Sequence, residues 1–302
     1  MKPLNTLVIL LLSASTTFAQ KPDKALISVK YAYSHMRDTT DRGNFYRETM
    51  VLIAGKNASA FLSYDGILND IQTKKSFEQQ IREQNGNITS LTMPKSTRLV
   101  SQNQHYYFAS EGKFFTHERL GVIYETEQSA DKIAWKISNE TLNLEGIQCK
   151  KATARYKGRD WTVWFAEELP FASGPWKLVG LPGLVLQAHD ENKEIRFDFA
   201  GLEKIEAKPK SAVDPSDNFG VGTIGSSNVL EEDEIKLPIK NVVKTTITEL
   251  ARLKKARAAD PQGFLRAQLS GAGITGEVSS SARPTNAPKK TIINNPIEKT
   301  NN

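Results

Sequence analysis

Between residues 25 and 206 the chain consists mostly of short runs in which apolar and polar residues alternate. In ALISVKYAYS, Ile27, Val29, Tyr31 and Tyr33 fall on one side and Ser28 and Lys30 on the other, the period of two that marks a half-buried strand. FYRETMVLIAG and SAFLSYDG read as two further strands joined around Gly55, Lys56 and Asn57. TRLVSQ, QHYYFAS, KFFTHERL and GVIYETE continue in the same texture. KIAWKIS, GIQCKKATARY, WTVWFAEELP, LPGLVLQAHD, KEIRFDFAG and LEKIEAK follow, with turns at Asn139, Gly158 and Asp190. So many consecutive strands cannot stay flat. The pattern predicts a mainly β (α+β) fold built on a strongly curved antiparallel sheet or partly closed barrel.

Two stretches change period. Residues 67–84 are polar and rich in helix formers, with Ile67, Ile71 and Ile81 as a sparse apolar stripe, and predict an exposed helix inserted between strands. Residues 245–258 predict a C-terminal helix with Ile247, Leu250 and Leu253 inward and Lys254, Lys255 and Arg257 outward, halted before Pro261. Residues 209–238 read as a long loop. Gly220, Gly222 and Gly225 in it spell G-x-G-x-x-G, but without the strand before and helix after that a dinucleotide site needs. The expected organisation is a single β-rich domain over 20–270 and a flexible tail over 271–302, in which TIINNPIE is the one stretch suited to docking.

The first 19 residues have their own pattern: Lys2, an apolar run from Leu7 to Leu12, and small residues Thr17 and Ala19 before Gln20. This predicts a secretory signal peptide cleaved near Ala19–Gln20, hence a secreted or periplasmic protein. The run is too short for a membrane span, and Gln20 stands where a bacterial lipid anchor needs cysteine. The single cysteine, Cys149, excludes an intramolecular disulfide and reads as a small buried hydrophobe. A net charge of +6 without a clustered basic face argues against nucleic acid and leaves an anionic surface or glycan as the partner that the charge would favour.

The densest punctuation lies in PFASGPWKLVGLPGLVLQAHD, residues 170–190. Ser173, Gly174 and Pro175 signal one turn. Leu181 to Leu184 signal another, in which Pro182 supplies a fixed φ and Gly183 the positive φ of a type II turn. Gly174, Pro175, Gly180, Pro182 and Gly183 are therefore read as structural turn residues that re-aim the chain, with Trp176, Leu178 and Leu181 plugging the sheet. CKKATARYKGRDWTVWF followed by ELPFASGPWKLVGLPGLVLQAHD resembles the GLPGLI family of secreted bacterial proteins, whose hexapeptide stands here as Gly180, Leu181, Pro182, Gly183, Leu184 and Val185, with valine for the final isoleucine. FYRETMVLIAG with SAFLSY, and NNPIE near the end, extend the resemblance. It implies an exported envelope protein and brings no catalytic residue with it.

Candidate chemistry is sparse. His35, His105, His117 and His189 show no metal-ligand spacing, and no G-x-S-x-G elbow occurs, so neither a metal, a cofactor nor a catalytic residue is expected from local motifs. Arg159, Trp164, Trp176 and His189 are the candidate ligand-binding residues: a cation and aromatic faces suit an anionic or sugar ligand. The leading expectation is a non-catalytic envelope protein that binds an apolar, mixed or glycan ligand, or an envelope protein partner. A secreted hydrolase of envelope or dietary polymers and a structural component of an envelope assembly are the alternatives.

Overall fold

The computed structural model describes residues 21–84, 100–206, 233–238, 242–271 and 292–299. The expected signal peptide, the three glycines of the G-x-G-x-x-G match and most of the expected tail lie outside the described residues. The fold is mainly β. Among the described residues the strands are β1 (Asp23–Lys24), β2 (Ile27–His35), β3 (Tyr46–Ala54), β4 (Ala58–Ser63), β5 (Asn103–Phe108), β6 (Lys113–Leu120) and β7 (Val122–Ser129). They continue as β8 (Lys136–Leu144), β9 (Ile147–Tyr156), β10 (Arg159–Ala166), β11 (Leu184–Asp190), β12 (Ile195–Lys204), β13 (Glu234–Ile235) and β14 (Val242–Thr245). The helices are α1 (Tyr64–Glu83), α2 (Ile247–Ala259) and α3 (Pro261–Gly271).

Twelve strands form one sheet in the order β14-β7-β6-β5-β4-β3-β2-β12-β11-β10-β9-β8, and β1 pairs with β13 separately. Every neighbouring pair in the large sheet is antiparallel except β14 with β7, which run parallel, so the sheet is mixed where a purely antiparallel one was expected. The two ends of the sheet do not pair with each other, yet the sheet bends hard. Phe61 on β4 and Phe197 on β12 lie three interstrand steps apart, about 14 Å in a flat sheet, and their rings meet at 5.8 Å. The β10–β11 connection reaches back to β7, where the Lys177 Nζ donates to Gln128 Oε1 at 3.1 Å.

The alternation read from the sequence is the alternation of burial. In β2 the residues Ile27, Val29, Tyr31 and Tyr33 are buried on the concave side. β3 is covered on both faces: Met50, Leu52 and Ala54 join the concave core, while Val51 and Ile53 join a second cluster beneath α1 with Ala60, Leu62, Ile67, Tyr106 and Phe115. That second cluster exists because α1 follows β4 without a break. Ser63 caps it, accepting the Gly66 N–H at 2.7 Å on its hydroxyl oxygen. The helix therefore starts three residues before the predicted boundary, the capping serine being hidden inside a strand-like run.

Near the end of the chain the expected inward stripe of the helix differs. Leu250 is buried but Ile247 is exposed, because α2 rests on β7 at the margin of the sheet and not over its centre. Pro261 starts α3, for which it is a suitable first residue, with Asp260 Oδ1 accepting the Gly263 N–H at 2.9 Å. The expected flexible tail is docked over residues 292–299, and the end of the expected 209–238 loop contributes β13, whose Ile235 is buried.

The corner between β10 and β11 fills the hollow. Trp176, Leu178 and Leu181 are buried in the concave core beside Trp161, Tyr33 and Phe197. Trp176 lies 5.6 Å from the Trp161 ring and 5.8 Å from that of Tyr156. Leu178 N–H returns to the Pro175 carbonyl at 3.1 Å, closing a turn in which Trp176 takes φ +56°. A bulky residue there is strained by about 1–2 kcal/mol, and burial of the indole offsets it. The predicted reason for Gly183 is corrected: its φ is not positive, and Gly180 instead carries φ +89°. Gly183 is required for close approach, since a Cβ there would meet the Ala166 carbonyl oxygen at 2.2 Å. At Gly174 a Cβ would meet the Leu178 oxygen at 2.3 Å. We expect Gly183→Ala to destabilise the fold by about 2–3 kcal/mol through overpacking, and Gly180→Ala, which has open space, by about 1–2 kcal/mol through its torsion alone. Urea denaturation midpoints at constant m-value check the pair.

Candidate functional site

The four residues singled out by sequence split onto two faces of the sheet. Arg159 and Trp161 share the buried side of β10, where Trp176 meets them from the corner. Trp164 is half-buried on the other side, as is His189, which pairs with Thr162 across β10 and β11. His189 Nδ1 approaches the Asp190 carbonyl at 2.9 Å. Strand alternation prevents the four from lining one groove.

Arg159 lies at a polar junction. The turn before it, Lys157 at φ +48° and Gly158 at φ +75°, has the two positive φ values of a tight hairpin and delivers the arginine to the inner face at the end of β10. The side chain is 3% exposed. Its Nη1 donates to Asp190 Oδ2 at 2.5 Å and lies 3.6 Å from Glu194 Oε2. Its remaining donors hold the docked segment: Nη2 to Asn295 Oδ1 at 2.6 Å and to the Pro296 carbonyl at 2.7 Å, Nε to the Ile297 carbonyl at 3.1 Å. The guanidinium is thus committed to the protein's own groups.

Residues 292–299 form a strap across this junction. Asn295 Nδ2 donates to the Met36 carbonyl at 2.8 Å and to Glu194 Oε2 at 3.0 Å. Lys177, 2% exposed, donates to Glu298 Oε1 at 2.6 Å. The Lys299 N–H donates to the Lys157 carbonyl at 3.0 Å, and a Cβ at Gly158 would strike the Lys299 oxygen at 2.5 Å. His35 completes the set. Its Nε2 donates to the Asn295 carbonyl at 2.7 Å, and its Nδ1 accepts the Tyr33 hydroxyl at 3.0 Å, an arrangement that needs the neutral ring. Burial, ahead of the neighbouring Arg37 and Arg159 charges, holds the His35 pKa down at about 4. Cys149 is buried as expected, its thiol pushed up to about 11 by burial and then by Glu168.

A second polar arrangement lies farther along the same strand-end margin, where β3, β5 and β7 begin and β4 and β6 end. Glu48, buried in β3, accepts four donors there: Tyr46 OH at 2.7 Å, the Ser101 N–H at 2.9 Å, Ser101 Oγ at 2.6 Å and Ser63 Oγ. This carboxylate fixes the start of α1 against residues 100–102. Between the first turns of α1 and strands β5 to β7 lies a cleft of about 200 Å³, lined among others by Asn69, Thr73, Val100, Gln104, Arg119 and Ile123.

His117 forms part of the cleft wall at 2% exposure. Its Nε2 is 2.8 Å from Glu125 Oε2, and its ring lies 5.2 Å from that of Tyr106. Its Nδ1 is buried and has no hydrogen-bond partner among the described residues. No local motif joins His117 to Glu125, yet the register was readable. β6 and β7 pivot on Gly121 at φ +98°, so residues equally far from it face one another. Among the described residues no three His, Cys, Asp or Glu side chains gather as a metal site would require.

Removing Arg159 leaves Asp190 and Glu194 buried without their cation. Arg159→Gln is expected to cost about 3–5 kcal/mol and to abolish hydrogen-exchange protection of the Asn294 and Lys299 amides. The pH profile tests His35. The unfolded chain takes up a proton below about 6.5 and the folded one only below about 4, so stability falls as pH drops through that window. His35 contributes a loss of about 3 kcal/mol by pH 4, and His35→Gln should remove that share of the acid limb of a denaturation profile, leaving the share of His105, which burial holds down at about 3.

No protein-family model matches the chain, and no curated protein matches it in sequence. Two solved structures of PNGF-II, in its P21 and C2 space groups, are similar to it at TM-scores of 0.45 and 0.44 and 14% sequence identity. The alignments cover 76% of this chain, which spans 32% of theirs.

Proposed function

We propose that the chain is an exported envelope protein of the GLPGLI kind that binds a ligand of mixed polar and apolar character and does not itself catalyse a reaction. The filled hollow turns this reading away from an apolar ligand held inside and towards one bound at the surface. Trp161, Trp176, Tyr33 and Phe197 pack where a carrier of an apolar molecule would keep a cavity. Two concave features on the described surface have walls of mixed polar and apolar character. One is the cleft beside α1. The other is a shallower depression of about 310 Å³ over β12, β2 and β3, with Arg47, Arg196 and Asp198 on its rim. Val100 and Ile123 give the cleft an apolar wall beside its amides and charges.

The hydroxyl protons in the cleft support binding over catalysis. Ser63 and Ser101, the serines that line it, both donate to Glu48 and not to His117, so neither is set up as a nucleophile activated by an imidazole. The resemblance in the corner, together with residues 1–19, supports export. Among the described residues no helix is long and apolar enough to cross a membrane.

The test is recovery of the protein from an envelope fraction of a bacterial host, followed by N-terminal sequencing and native mass spectrometry. The expected results are a mature chain beginning at Gln20 and no retained lipid. A chain still beginning at Met1 would overturn export, and a stoichiometric fatty acid or phospholipid would overturn the ligand assignment.

A further inference from the structure

We infer that the cleft between α1 and strands β5 to β7 is a binding site for a neutral, hydroxyl-bearing ring of monosaccharide size, with His117 Nδ1 as the atom that receives a ligand hydroxyl. The inference rests on the binding-protein reading above and gives that protein's ligand a chemical class.

The argument starts from the unpaired nitrogen. A buried polar atom without a partner costs about 1–3 kcal/mol, and His117, which contributes to the wall of a concave site, holds such an atom at its buried Nδ1. Its other nitrogen is held by Glu125, which accepts the Nε2 proton; in the neutral ring Nδ1 then carries a lone pair. The ligand atom that satisfies this lone pair must bring a hydrogen. A fully ionised carboxylate or sulfate brings none. A hydroxyl brings one and also accepts, and the groups around the cleft complement both halves: Arg119 and the amide nitrogen of Asn69 donate, while the amide oxygen of Asn69 accepts.

Size and shape agree. A cleft of about 200 Å³ holds one six-membered sugar ring and excludes a long chain. Val100 and Ile123 offer an apolar surface to the C–H face of such a ring, while its rim of hydroxyls meets polar side chains. The support is stiff. His117 stands on β6, hydrogen-bonded in register to β5 and β7, and the opposite wall is a capped helix anchored by Glu48 through Ser63. Binding costs little reorganisation at a site built this way.

The experiment is calorimetric titration of the full chain with glucose, galactose, mannose and N-acetylglucosamine, and separately with inorganic phosphate. Nitrogen-15 spectra of the histidine side chains are recorded at each end point. We expect at least one saccharide to bind and to move the His117 Nδ1 resonance. Asn69→Trp, which fills the cleft from the helix side and leaves His117 and Glu125 themselves unsubstituted, should weaken that binding at least tenfold. His117→Gln should do so too, and the tryptophan variant keeps the test valid should the glutamine variant fold poorly. Phosphate binding that moves the Nδ1 resonance, with no saccharide bound, would overturn the ligand class while leaving the binding-protein reading in place. If none of the sugars binds and the Nδ1 resonance stays unmoved by both probes, the site itself is overturned. A retained lipid would count against the reading on which it rests.

Discussion

A sheet that curls around a hollow must fill it, and here the filling comes from the connection between β10 and β11. The corner does this by bringing backbone against backbone. Gly183 lies where a Cβ would enter the Ala166 carbonyl, and Gly174 where it would enter that of Leu178. With that approach made, Trp176, Leu178 and Leu181 reach the centre of the core and the sheet can close on them from β4 to β9. The polar handles of the enclosed aromatics are met as well: Tyr31 OH donates to the Val185 carbonyl at 2.6 Å, and Trp135 Nε1 to that of Val179 at 2.9 Å. Packing and hydrogen bonding thus converge on one segment of about a dozen residues.

The polar groups gather at two places along one margin, with different characters. Around Arg159 each guanidinium nitrogen donates, the cation is balanced by Asp190 and Glu194, and a strap from near the end of the sequence covers the junction. Such an arrangement is closed: it stabilises and has nothing left to offer a ligand. Around His117 the balance is incomplete by one nitrogen, in a wall that faces a cleft. The same chemistry of buried charge therefore reads as architecture at one place and as recognition at the other. The difference lies in whether the protein completes its own hydrogen bonds.

Much of the fold was legible in sequence because its signals are local. Strand alternation in β2 and the turn residues of the corner each depend on a few neighbouring positions. The start of α1 was misplaced because Ser63 serves both as the last residue of a strand and as a helix cap. The role of Gly183 was misread because a Pro-Gly pair signals a torsion, while the close contact with Ala166 belongs to tertiary structure. The candidate site was less legible. Arg159 was found as a conspicuous cation, but its partners Asp190 and Asn295 lie 31 and 136 positions away. His117 and Glu125 are only eight apart, yet seeing them as a pair requires the register of a hairpin pivoting on Gly121.

The strap also ties distant positions into one hereditary unit. Gly158 is held by its own left-handed torsion and, independently, by the passage of Lys299 across it. A lineage that lost the strap would release only the second of these, and would inherit a guanidinium at Arg159 and an ammonium at Lys177 stripped of Asn295 and Glu298. Relatives without the strap should therefore have replaced Lys177, whose ammonium would keep only Gln128, while Arg159 persists beside Asp190 and Glu194 and glycine persists at the turn.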